Sequence, residues 1–138
     1  MRKNRTKVRV IYADTDAMGI VYHTNYIKWF EIGRTELLRG VGLVYAQIEA
    51  QGYNLPLTEV YCHYLQPARY DQVLVIETEI EYSRRASIKF NYVIRDEHEE
   101  KILAEGYTIH ACTNNSGKIV RIPSLVLNKL NEITELTS

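Results

Sequence analysis

Two aspartates, Asp14 and Asp16, one glycine, Gly19, and the run Ile20-Val21-Tyr22-His23-Thr24-Asn25-Tyr26 are the residues of this chain whose types and spacing could do chemistry. The segment leaves the end of a predicted strand, passes through Gly19 and enters a predicted amphipathic helix. A helix N-terminus leaves backbone N–H groups unpaired, so the sequence sets the Asp16 carboxylate beside aimed donors. Those are the two parts needed to hydrolyse an activated acyl group. The carboxylate supplies or activates a nucleophile, and the donors stabilise the oxyanion that develops. An aspartate in such a turn also has a plain role, accepting hydrogen bonds from its own backbone, and Asp14 is read in that structural way.

Positioning such a turn requires a strand before it and a helix after it. Thr6 to Ala13 alternates charged with β-branched or aromatic residues and predicts strand one. Asn25 to Gly40 predicts a helix, with Tyr26, Phe30, Gly33, Leu37 and Val41 on one face and Lys28, Glu31, Thr35 and Arg39 on another. Thr24 or Asn25 suits its N-cap, and Gly40 or Gly42 its stop. A glycine inside a helix costs about 1 kcal/mol relative to alanine, so Gly33 implies that the helix backbone lies close against a sheet. Leu43 to Gln51 reads as a second, short helix.

Strands follow over Tyr53 to Leu65, Gln72 to Tyr82, Ser87 to Arg95 and Lys101 to Thr113, separated by turn-forming stretches. Short links imply that neighbours in sequence pair antiparallel. A last short strand over Lys118 to Ile122 and a small helix from Pro123 to about Leu130 complete the pattern. The implied class is α+β, one helix packed on one face of a curled antiparallel sheet.

The chain has 138 residues, enough for a single domain over 1–138 with a core of its own. Its 17 basic and 17 acidic residues cancel, so nothing global favours nucleic acid, and a phosphate-bearing ligand needs a local basic cluster. Cys62 and Cys112 lack metal or redox spacing and read as buried thiols. His63, His98 and His110 are scattered and read as structural, so no metal is expected. The basic start, Met1-Arg2-Lys3-Asn4-Arg5, precedes no apolar stretch of signal-peptide length. No run reaches the roughly 18 apolar residues of a membrane span. A cytoplasmic protein is the expectation.

Asp14 to Tyr26 reads Asp-x-Asp-x-x-Gly-x-Val-Tyr-His-x-x-Tyr. Over those positions it closely resembles the active-site signature of the hot-dog-fold acyl-CoA thioesterases, the branch of 4-hydroxybenzoyl-CoA thioesterase and its YbgC-like relatives. The resemblance runs from about Lys7 to Leu127. It implies the hot-dog fold, a long central helix wrapped by the sheet, and hydrolysis of a short-chain aliphatic or aryl acyl-CoA without a cofactor.

By that resemblance Asp16 is the nucleophile or general base, and His23 donates its backbone N–H to the thioester oxygen; its side chain as acid or base is a minority reading. Gly19, Tyr22, Asn25 and Tyr26 surround the substrate, with an acyl pocket expected from Tyr26, Phe30, Leu55, Leu57 and Tyr61. The stretch Tyr70 to Thr78 and the pair Arg84-Arg85 also resemble the benzoyl-CoA member, where this loop holds coenzyme A phosphates. Guanidinium groups suit phosphate oxygens, so Arg84, Arg85 and Ser87 carry over. Ala86 departs from that member's lysine, and Lys118 and Arg121 are weaker candidates. The resemblance further implies a homodimer or homotetramer with the site between subunits, and it admits an acyl-carrier protein as a partner. Two other readings stay open: catalysis by a helix glutamate, Glu31 or Glu36, and a non-catalytic protein that binds acyl-CoA or an acyl-carrier protein.

Overall fold

The computed structural model describes residues 3–135, so Met1 and Arg2 of the basic start lie outside the described residues. Strands β1 (Lys3–Arg9), β2 (Tyr53–Asn54), β3 (Leu57–Tyr64), β4 (Val73–Arg84), β5 (Ser87–Asp96), β6 (Ile102–Ala111) and β7 (Thr113–Asn114) accompany helices α1 (Asn25–Arg39), α2 (Tyr45–Ala50) and α3 (Ser124–Glu135). Five strands form one antiparallel sheet in the order β1-β4-β5-β6-β3, and β2 pairs with β7.

Period-two patterning decides which face of the sheet is covered. Along β5, Ile88, Phe90, Tyr92 and Ile94 are buried in strict alternation with half-buried neighbours, and Leu74, Ile76, Thr78 and Ile80 of β4 are buried beside them. Helix α1 fills that face with Tyr26, Trp29, Phe30, Leu37 and Leu38, and Phe30 stacks flat on Tyr92 at 4.2 Å. A Cβ at Gly33 would overlap Thr78 Oγ1 and Ile76 Cγ2 of β4, so the helix approaches to a distance only glycine allows. The α+β arrangement of a long helix against an antiparallel sheet is the one expected. The helix ends at Arg39 with Gly40 as its C-cap, and the chain turns away at Gly42, whose φ of +82° lets the Leu43 N–H bond back to the Leu38 carbonyl at 2.9 Å.

Three features depart from the sequence reading. Strand one ends at Arg9, and Tyr12–Asp14 folds into a tight 3-10 turn closed by the Ile11 N–H donating to Asp14 Oδ2 at 3.1 Å. Lys118 to Ile122 forms no strand, only a single bridge between Thr113 and Ile119, while helix α3 continues past Leu130. Strand β3 does not pair with β4 despite the short link between them; it pairs with β6 at the far edge. The link therefore crosses the sheet end, and it spends its backbone groups on the turn that carries Asp16. Val21 N–H donates to the Ala68 carbonyl at 2.9 Å, Tyr70 N–H to the Gly19 carbonyl at 3.0 Å, and Asp71 N–H to the Val10 carbonyl at 3.0 Å.

Candidate active site

The turn from Val10 to Thr24 sits where β1 ends and β4 begins, and each of its corners has a physical cause. Gly19 takes φ +75°, which disfavours any side chain there. Asp16 N–H donates to the Ile20 carbonyl at 2.8 Å and Gly19 N–H to the Asp16 carbonyl at 3.1 Å. The Asp16 carboxylate is exposed; its Oδ1 accepts from Met18 N–H at 2.8 Å and Ile20 N–H at 3.2 Å. Asp16 Oδ2 has no hydrogen-bond partner among the described residues. The carboxylate thus makes the turn with one oxygen and presents the other.

Asp14 plays a different part. It is buried, and its Oδ1 receives Lys28 Nζ at 2.6 Å, while its main-chain carbonyl accepts from Asn25 Nδ2 at 2.8 Å and Tyr22 N–H at 2.9 Å. The turn is thereby fastened to the first two turns of α1, and Asn25 serves as that clasp rather than as a cap. Thr24 is the N-cap and its side chain makes no capping bond.

His23 stands just before the helix with its ring exposed, 4.4 Å from the Tyr22 ring. Its N–H donates to no partner among the described residues, whereas its carbonyl accepts from the Tyr64 hydroxyl at 3.0 Å and from Tyr26 N–H at 3.3 Å. Tyr26 is buried, and its hydroxyl accepts from Ala68 N–H at 3.0 Å. The structure therefore brings Asp16, Gly19, Tyr22, His23, Asn25 and Tyr26 into one turn–helix junction.

Two cavities flank that junction. The smaller, about 310 Å³, is bounded by His23, Tyr26, Tyr64 and the Leu65–Pro67 stretch. The larger, about 920 Å³, lies on the other side of α1, between Thr24, Lys28, Glu31 and Arg34 on the helix and Leu55, Leu57, Phe90 and His110 across from it. Asp16 lines neither. Of the expected acyl-pocket residues, Leu55 and Leu57 line the larger cavity and Tyr26 the smaller. Phe30 is sealed in the core, and Tyr61 stacks on Tyr107 at 5.5 Å.

Sequence reasoning missed the polar chain beneath the larger cavity. His110 Nδ1 lies 3.0 Å from the Leu55 carbonyl, which only accepts, so this nitrogen carries the proton. Nε2 of the neutral ring then accepts from Thr108 Oγ1 at 3.0 Å, and Thr108 accepts from the Tyr92 hydroxyl at 2.6 Å. Burial pushes the Tyr92 phenol up, opposed by the Arg34 guanidinium, and pushes the His110 imidazole down to about 4. His110 is thus a neutral core histidine, as expected of it. Nothing in the spacing of these four residues announces the chain, because the sheet register and helix packing assemble it.

The expected phosphate-binding residues gather elsewhere. Arg84, Arg85 and Ser87 form the β4–β5 hairpin, and the segment bearing Lys118 and Arg121 is tied to it by Ile122 N–H donating to the Arg85 carbonyl and Cys112 N–H to the Ala86 carbonyl, both at 2.9 Å. Arg85, Lys118 and Arg121 are exposed and make no ion pair among the described residues, while the Arg84 guanidinium lies 3.9 Å over the Tyr82 ring. This group sits at the opposite end of the sheet from Asp16. Strand β4 has 12 residues, roughly 35 Å at the usual rise. One chain does not bring the hairpin to the turn.

A model of the thioesterase-like superfamily matches residues 10–130. The putative esterase of Aquifex aeolicus is 37% identical over 124 residues, covering 90% of this chain and 94% of that protein. The acyl-CoA thioester hydrolase YbgC of Escherichia coli is 36% identical over 110 residues, covering 80% and 81%. Among solved structures, a DHNA-CoA thioesterase from Staphylococcus aureus aligns with a TM-score of 0.90 at 27% identity, over 100% of this chain and 97% of that one.

Proposed function

The chain belongs to the thioesterase-like superfamily, and from that premise we propose that it hydrolyses an acyl-CoA to a free acid and coenzyme A at the Asp16–His23 turn. The observation that carries the reading is the pairing, within one turn, of a carboxylate oxygen and a backbone N–H that both lack a partner among the described residues. Asp16 either attacks the thioester carbon, giving a mixed anhydride that water then cleaves to the free acid and the restored carboxylate, or takes a proton from a water that attacks that carbon. Either way the thiolate is expelled and leaves as coenzyme A. In both routes the carbonyl oxygen gains charge that the His23 N–H stabilises. A donor of that kind is worth about 3 kcal/mol in the transition state.

Coenzyme A binding is assigned to Arg84, Arg85, Ser87 and Lys118, and their distance from Asp16 in one chain calls for a second copy. Strand β3 is the edge of the sheet and is exposed on both faces, with Leu57, Val60, Tyr61 and Tyr64 each more than 40% accessible. Such an edge is a pairing surface. Two-fold antiparallel pairing of β3 with β3 would set the Tyr64 end of one copy, where Asp16 lies, beside the Leu57 end of the other, where the hairpin lies. A homodimer is therefore the smallest complete unit of this reading, and a homotetramer is a pair of them.

A second reading has one observation behind it: Glu31 lines the larger cavity, and Asp16 does not. Thiol release from a panel of short, long and aryl acyl-CoAs, with wild type beside Asp16→Asn and Glu31→Gln, separates the two. Collapse of turnover in Asp16→Asn alone supports the turn, and collapse in Glu31→Gln alone moves the chemistry to the helix. Bound acyl-CoA that wild type leaves intact would replace both with a binding protein, one for which an acyl-carrier protein is a further partner to test.

A further inference from the structure

We propose that Tyr64 is a positioning residue for the oxyanion-donating turn, its hydroxyl holding the His23 carbonyl and with it the backbone that presents the donor. The inference rests on the reading of His23 N–H as that donor.

Tyr64 is the last residue of β3 and reaches across 41 positions of sequence to donate to the His23 carbonyl at 3.0 Å. A carbonyl only accepts, so the phenol must keep its proton. Burial, with the Cys62 thiol beside it, pushes this phenol up to about 12. The ring is fixed as well, meeting the Tyr26 ring edge-on at 4.9 Å and the His23 ring at 6.4 Å.

The peptide that carries the donor is held at its own Tyr22 carbonyl, which accepts from Asn25 N–H at 3.0 Å, and has an anchor on each side. Before it, Val21 N–H is bonded to the Ala68 carbonyl at 2.9 Å and Tyr22 N–H to the Asp14 carbonyl at 2.9 Å. After it, the His23 carbonyl has Tyr64 at 3.0 Å and the longer helical bond from Tyr26 N–H at 3.3 Å. Removing the phenol leaves the helix its own bond, so the fold persists while the His23 dihedrals gain freedom. An oxyanion donor contributes only while it is aimed before the reaction begins. The sheet edge, through Tyr64, thus sets the aim of a group on the turn.

The test is Tyr64→Phe, which deletes one oxygen. With the acyl-CoA turned over best by wild type, kcat falls about tenfold, less than for deletion of a direct donor, while KM is unchanged. The Kd for a non-hydrolysable thioether analogue of that substrate is unchanged too. The loss is the same across acyl groups, because the donor meets the oxygen that all thioesters share. Tyr107→Phe, which removes a phenol on β6 remote from the turn, keeps the wild-type kcat.

Wild-type kcat in Tyr64→Phe, alongside an inactive Asp16→Asn, overturns the role of Tyr64 and leaves the reading of the turn standing. A fall in kcat that merely follows the folded fraction measured by circular dichroism also overturns it, as does a rise in KM alone. Wild type that cleaves no acyl-CoA, or Asp16→Asn that matches wild type, removes the reading of the turn itself, and the Tyr64 role with it.

Discussion

One oxygen of Asp16 closes the turn and the other is open, so Asp16→Asn separates structure from chemistry. Asparagine Oδ1 still accepts from the N–H groups of Met18 and Ile20, and the turn is kept while the negative charge is lost. We expect kcat to fall about a thousandfold or more with no shift in thermal midpoint. Acid quenching of wild type during turnover, followed by mass spectrometry of the peptide bearing Asp16, then decides the route. An acyl adduct identifies the anhydride; its absence at full burst sensitivity identifies the general base. His110 makes a prediction of the opposite kind, about stability. Its native imidazole titrates at about 4, below the ordinary 6.5, because burial opposes the charge. The unfolded chain therefore binds the proton more readily between those values, and stability falls as pH drops from about 6.5 to about 4. The contribution at stake is about 3 kcal/mol. Urea midpoints at pH 7, 5.5 and 4.5 should decline for wild type and decline less for His110→Gln.

Helix α1 is placed by a missing side chain. Gly33→Ala forces a methyl group against Thr78 and Ile76 of β4, and overpacking of this kind costs about 1–3 kcal/mol; the urea midpoint should fall accordingly. Gly33, the buried face of α1 and the alternation along β5 were legible in sequence, because each is a local periodicity or a breach of one. Strand pairing was legible only where a tight hairpin enforces it. Strand β3 goes to the far edge because the Leu65–Gln72 link fastens to the Gly19–Val21 turn instead of closing a hairpin, and no residue of the link spells that out. Asp14 was read as structural from its turn, yet its partner Lys28, 14 positions away at 2.6 Å, depends on where the helix sits. The signature from Asp14 to Tyr26 was legible because it is contiguous. The polar chain from Tyr92 to His110 was not, since it joins two strands, β5 and β6, through the sheet register.

At the scale of the molecule the unresolved quantity is a distance. The open carboxylate of Asp16 and the hairpin cations that have no ion pair among the described residues lie at opposite ends of one sheet, and the proposed hydrolysis of one coenzyme A thioester would engage both. An unpartnered β3 edge closes that gap only if each site takes its turn from one copy and its hairpin from the other. This makes a prediction that does not depend on knowing the acyl group. Asp16→Asn and the double variant Arg84→Ala, Arg85→Ala are each expected to be weakly active at low substrate. When the two are unfolded together and refolded as a mixture, half of the dimers are hybrids by random association. Each hybrid holds one site with both defects and one with neither, so about a quarter of the wild-type rate returns. Native mass spectrometry confirms that hybrids have formed. Recovery places the carboxylate and the phosphate clamp on different copies. Hybrids that stay inactive put them on the same copy, and the phosphate clamp would then have to be sought among residues near the turn.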